Sequence, residues 1–180
     1  MKMPLKMPQR VQVKITIPFV GEISGEWEPD DAERKAAWEL YVELVTRIAV
    51  VPLQPGQGSL RDATNSLYSL FSITRDILRR YGPQVAPASK HSQISFGVLA
   101  VTVLNHALRP FLARWHIQLG TWEAARPADR SALDHEQAWD QAEQFREELE
   151  KVRQALVETA DVLGTVAGAA DLMRSTSISG

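Results

Sequence analysis

Cysteine is absent from the 180 residues, and that absence removes disulfides, thiolate nucleophiles, thiolate zinc sites and cysteine-held iron–sulfur clusters together. Histidine is scarce. The four present, His91, His106, His116 and His135, are scattered, with no HExxH and no Glu three residues before a His, so the zinc-protease and di-iron bundle signatures are missing. GxxxxGK[ST], GxGxxG and GxSxG are missing too, which leaves nucleotide binding and the hydrolase elbow without support. The chain also lacks an excess of either charge: with a formal net charge of −2 and a pI near 6.1, nucleic acid is not an expected partner and any basic surface must be local. A run long enough for a constitutive membrane span is lacking as well. The apolar stretch Ile94 to Leu104 has eleven residues against the roughly 20 a span needs, and Asn105, His106 and Arg109 follow it. The basic start MKMPLKMPQR leads into alternation instead of an apolar core, so no secretion signal is expected and the location expected is cytoplasmic.

What is present is an ordinary globular composition, 44% hydrophobic and 23% charged, of a length that buries one core. Val11, Val13, Ile15 and Ile17 alternate with polar residues and predict a half-buried strand. Pro18, Gly21 and Gly25 punctuate a second extended run, so residues 1–28 read as a tail with a strand or hairpin. Residues 29–173 read as four helices and 174–180 as a disordered tail.

The first helix opens on Glu28, Asp30, Asp31 and Glu33 and should run to about Val50 with Trp38, Tyr41, Val42, Val45, Ile48 and Ala49 on one face, Leu40 and Leu44 widening the stripe so that two sides are contacted. Ser59 is a natural cap for the second, whose seam is Leu60, Ala63, Leu67, Leu70, Thr74, Ile77 and Tyr81, ended by Gly82 and Pro83. The third should span about Gln93 to Glu123 with a seam through Ile94, Gly97, Val101, Leu104, Leu108, Phe111, Trp115, Gln118 and Trp122. Pro110 should kink it near Ala107 to Phe111. The fourth, capped by Ser131 or Asp129, carries the most regular seam, from Ala142 through Phe145, Leu149, Val152, Leu156, Thr159, Leu163 and Val166 to Ala170 and Met173. The fold expected is mainly α: an antiparallel four-helix up-and-down bundle of long helices with a short N-terminal β-strand or hairpin.

Charge sets the register. No acid occurs from Lys90 to Trp122, whereas seven occur from Asp134 to Glu150, so Arg109 and Arg114 should find acidic partners on the fourth helix. Glu136, Asp140, Glu143 and Glu147 recur at steps of three and four; a solvated face explains them better than a metal does. On the second helix, Arg61, Asn65, Tyr68, Arg75 and Arg79 form a candidate partner face, although bundle packing and surface ion pairs explain the segment better.

The segments SLYSLFSITRDILRRYGP and LNHALRPFLARWH resemble parts of helical-bundle proteins from bacterial conflict or defence gene modules. The likeness rests on Leu67, Tyr68, Phe71, Arg75, Asp76, Arg109, Pro110, Trp115 and His116. It implies a bacterial cytoplasmic accessory or regulatory subunit and carries over no catalytic residue.

The function expected is a non-catalytic interaction module, an oligomeric scaffold or a regulatory partner of a separate effector, with no cofactor, no metal and no catalytic residue. Its partners would be itself, as a homo-oligomer, or another protein. Assembly is expected through Val11, Val13, Ile15 and Ile17 by strand addition, and through Leu163, Gly164 and Met173 by helix pairing. One alternative is a membrane-acting bundle that releases its apolar third helix on triggering; a weaker one is a carboxylate–metal enzyme.

Overall fold

The alternating V-Q-V-K-I-T-I run forms β1 (Val11–Ile17), with odd residues buried and even residues exposed. It pairs antiparallel with β2 (Gly21–Trp27), Val11 opposite Trp27 and Ile17 opposite Gly21. The structure, a computed structural model, describes residues 7–54, 56–88 and 93–173; the tail 174–180 expected to be disordered lies outside them. At the hairpin turn Pro18 is followed by Phe19 at a φ of 65°, a left-handed conformation disfavoured for a side chain. The Phe19 ring stays 72% exposed, with the Lys151 ammonium 4.7 Å from its centroid.

The first helix, α1 (Asp31–Val45), begins with a capping box in which Asp30 and Glu33 satisfy each other's amides. Buried Glu33 does more: it accepts from the Trp27 indole at 3.1 Å and from the Phe96 amide at 3.1 Å, joining hairpin, first helix and third helix at one carboxylate. The helix stops at Val45 instead of near Val50. The Thr46 hydroxyl folds back on the Val42 carbonyl, and a 3-10 turn at Ile48–Val50 leads into Pro52. Ala36, Ala37, Leu40, Tyr41 and Leu44 form the buried stripe, while Trp38 is exposed.

In α2 (Leu60–Tyr81) the Ser59 cap is present, and every expected seam residue from Leu60 to Ile77 is buried. The buried Glu136 carboxylate adds a second cap by accepting from the Leu60 amide at 3.0 Å. The third helix is one continuous rod, Phe96–Ala124, made of α3 (Phe96–Val103), a π turn at Leu104–Leu108 and α4 (Arg109–Ala124). The distortion sits a few residues earlier than the expected Ala107 to Phe111. Pro110 has no amide to donate and crowds the carbonyl four residues back; a widened turn just before it relieves both problems. The seam shifts accordingly: Val101 is exposed and Leu104 and Gln118 half-buried, whereas Leu99, Ala100, Val103, Ala107, Leu112 and Leu119 are buried.

The expected fourth helix is split into α5 (Ala132–Gln137), capped by Ser131, and α6 (Ala142–Ala167). Between them Trp139 turns inward against Trp115, centroids 5.8 Å apart, and Phe145 packs edge-on to Trp115 at 5.3 Å and to Phe111 at 5.1 Å. The α6 seam is as expected from Phe145 to Val166. It ends at Gly168, φ 68°, with the Ala169 amide on the Gly164 carbonyl and the Gly168 amide on that of Thr165, a Schellman closure that keeps the helix from reaching Met173. In the assembled core α6 packs on α1 and β1, α1 on α2, α2 on α4, and α4 on α6.

Candidate functional site

The two assembly sets expected from sequence fall inside this core. Val11, Val13, Ile15 and Ile17 are each at most 6% exposed, covered by α6, and the outer edge of β1 is itself engaged where the Thr16 amide donates to Glu158 at 2.5 Å. Leu163 is buried, and Gly164 faces the Tyr41 ring, so close that a Cβ there would lie 3.1 Å from it. Met173 is half-buried on the same core. These side chains hold the chain's own elements together, because small and apolar residues at such spacing serve an intramolecular neighbour as readily as a second copy.

The expected partner face takes a different position. Arg61, Asn65, Tyr68, Arg75 and Arg79 follow one another at steps of four, three, seven and four residues along one stripe of α2, all exposed except Arg61, which is half-buried. Arg61 is anchored: its guanidinium binds the Glu123 carboxylate at 3.0 Å and approaches His116 Nδ1 at 3.2 Å, and the His116 ring stands edge-on to Tyr68, centroids 4.9 Å apart. Arg79 lies 3.9 Å from Asp76 with both largely exposed, a pair of little energetic weight.

Between these ends lies a groove of about 360 Å³ formed by Tyr68, Phe71, Ser72 and Arg75 of α2 against Arg109 and Leu112 of α4. Four residues that carry the resemblance noted above, Tyr68, Phe71, Arg75 and Arg109, line it. Arg109 does not meet the acids of α6. Its guanidinium lies over the Phe71 ring, 5.0 Å from the centroid, and donates to Asn105 at 3.1 Å. Arg114 does find the expected partner, Glu148, at 2.7 Å. The two arginines are five residues apart, about 140° around a helix, so they cannot face the same neighbour. Arg75 makes no hydrogen bond or ion pair among the described residues, and neither does the Tyr68 hydroxyl. The groove thus offers two guanidinium groups and two aromatic rings with no carboxylate in its lining, on a chain of net negative charge. Such a surface accepts carboxylate or phosphate oxygens beside an apolar group.

The carboxylate series is divided. Glu136 is spent on the α2 cap through the Leu60 amide, while Asp140, Glu143 and Glu147 are exposed and make no hydrogen bond or ion pair among the described residues. Among the described residues no group of three or more His, Asp or Glu is placed to hold a metal ion. The Phe96–Ala124 rod is long and apolar enough to cross a membrane by length and composition alone, with a mean hydropathy of 1.4 over its most apolar 18 residues, half of which are buried. Compared with family models, curated proteins and solved structures, the chain gives no match in any of the three.

Proposed function

We propose that this protein is a non-catalytic interaction module, an oligomeric scaffold or an accessory subunit that regulates a separate effector. The observation that carries the reading is the α2–α4 groove, where Arg75 and Arg109 stand beside Tyr68 and Phe71 with no carboxylate of the chain against them. Aromatic and arginine side chains around a small apolar hollow are the composition of protein-binding hot spots. The closed circuit of contacts from α1 to α2, α4, α6 and back to α1 supports reading the helices as a four-helix up-and-down bundle. The resemblance to bacterial conflict modules is in keeping with a cytoplasmic, regulatory role in defence.

The test is quantitative capture with wild type and with an Arg75→Glu, Arg109→Glu variant that keeps the wild-type melting transition. A protein held by wild type, lost with the variant and rebound from purified components with the same difference supports the module. Identical partner sets, or no partner together with a monomer in solution, overturn it.

A second reading, membrane action on triggering, draws on the rod Phe96–Ala124 and on Val98, Val101 and Ile117, which are 51%, 41% and 69% exposed along it. Leakage from liposomes is its test, and intact vesicles under acid, heat and calcium would remove it.

A further inference from the structure

The groove has a counterpart on the same chain. The loop after α1 leaves Val51 61% exposed, and with Pro52 and Leu53 it borders a hollow whose other wall carries Glu143 and Glu147. Both carboxylates are exposed and unengaged among the described residues, as is Asp140 one turn before Glu143. Arg146 lines the hollow without forming an ion pair with either glutamate, and Arg153 there is held by Glu150 at 2.6 Å. One surface is therefore an apolar knob beside two exposed carboxylates, with Arg146 set deeper, one of its guanidinium nitrogens buried without a hydrogen bond among the described residues. The other is a small apolar hollow flanked by guanidinium groups.

The two cannot meet within one molecule. Ala63 of α2 borders the Val51 hollow, and at 100° per residue it lies about 130° around the helix from the mean direction of Tyr68, Phe71, Ser72 and Arg75. The chain thus shows two faces pointing different ways, one with two unengaged carboxylates and one with two guanidinium groups and no carboxylate.

We infer that the groove is occupied by a second copy of this chain, Val51 seating between Tyr68 and Leu112 while Glu143 and Glu147 reach Arg75 and Arg109. The inference rests on the interaction-module reading and names its partner. The contact joins two different patches, so it is heterologous: repeated, it builds a ring or an open chain and does not stop at a symmetric dimer. Opposite charges around an apolar centre also make it sensitive to salt.

The test is solution mass by light scattering over a range of protein and salt concentrations. Wild type should grow in mass with concentration and dissociate as salt rises. Arg75→Glu with Arg109→Glu should weaken association by roughly tenfold or more, and so should Glu143→Arg with Glu147→Arg. Mixing those two variants should restore association as an alternating assembly of the two, because the native faces meet and the two reversed faces are complementary in charge as well. All these positions are exposed, and melting curves confirm that the variants fold. Should one fail to fold, Val51→Asp and the salt series on wild type still decide. A monomer at every concentration overturns the second-copy contact and leaves the module reading to the capture test. An oligomer indifferent to both charge reversals overturns this contact while upholding self-association.

Discussion

The side of the molecule built from the hairpin, α1 and α6 and the side built from α2 and α4 treat their polar groups in opposite ways. On the first, the groups where the hairpin, α1 and the end of α6 meet are consumed by the chain. Glu33 accepts from the Trp27 indole and from the Asp30 and Phe96 amides, Arg34 caps the Val166 carbonyl at 2.7 Å, and the Tyr41 hydroxyl donates to the Ala170 carbonyl while accepting from the Leu172 amide. On the second, Arg75 and the Tyr68 hydroxyl meet no partner among the described residues, and Arg109 rests on an aromatic face. Buried polar groups must be paired for the fold to persist, whereas exposed ones need not be. The contrast separates buried groups that the chain itself completes from exposed ones it leaves open, in the α2–α4 groove as at Glu143 and Glu147 of α6.

Substitutions should reproduce that contrast in order of size. Glu33→Ala orphans the Trp27, Asp30 and Phe96 donors and should cost on the order of 4 kcal/mol in urea denaturation; a loss near zero would mean the two sides do not differ in this way. Gly97→Ala places a Cβ 2.6 Å from the Ala86 Cβ and 3.2 Å from the Val85 carbonyl oxygen, and should lower stability by about 2 kcal/mol through displacement of that turn. Phe19→Gly has the opposite sign. It relieves a left-handed conformation worth about 1 kcal/mol, so the thermal midpoint should rise, and a fall would show that the exposed ring contributes more than its backbone costs. In the groove, Tyr68→Ala and Arg75→Ala should change stability by no more than about 0.5 kcal/mol while weakening association, and a large loss of stability would place the groove with the core.

The smallest effect expected is in pH. The Tyr81 hydroxyl donates to Glu39 at 2.6 Å, and this bond, followed by partial burial, raises its pKa above the ordinary tyrosine value. A raised pKa means that the stabilisation is complete below the ordinary value and fades as pH climbs through the raised one. A phenolate absorbance titration should show a late-ionising phase, and Tyr81→Phe should reduce it by one tyrosine.

Periodicity made the strand β1, the whole α2 seam and the α6 seam from Phe145 to Val166 readable, because in each a single period persists without interruption. It drew the inward face of α1 too broadly, with Trp38 in it, because Trp38, Val42 and Val45 are as apolar as Leu40 and Leu44, and hydrophobicity cannot say which of two adjoining stripes has a neighbour. The split before α6 left no Gly or Pro to announce it; the cause is tertiary, the packing of Trp139 on Trp115 and Phe145. The partner face on α2 was legible as a stripe of polar and aromatic residues. Its opposite wall was not, since the charge pattern assigned Arg109 to α6 and only the geometry of α4 turns it toward Phe71.

The π turn at Leu104–Leu108 also acts as a phase corrector. Counted at 100° per residue, Phe96, Ala100 and Val103 point one way and Phe111, Trp115 and Leu119 about 100° further round, the angle of a single residue. The wide turn accommodates that extra residue, so both halves of the rod present their apolar sides to the same neighbours. A chain shortened by one residue inside the turn would keep both sides aligned, whereas the same deletion beyond Phe111 would swing Trp115 and Leu119 out of alignment with the core.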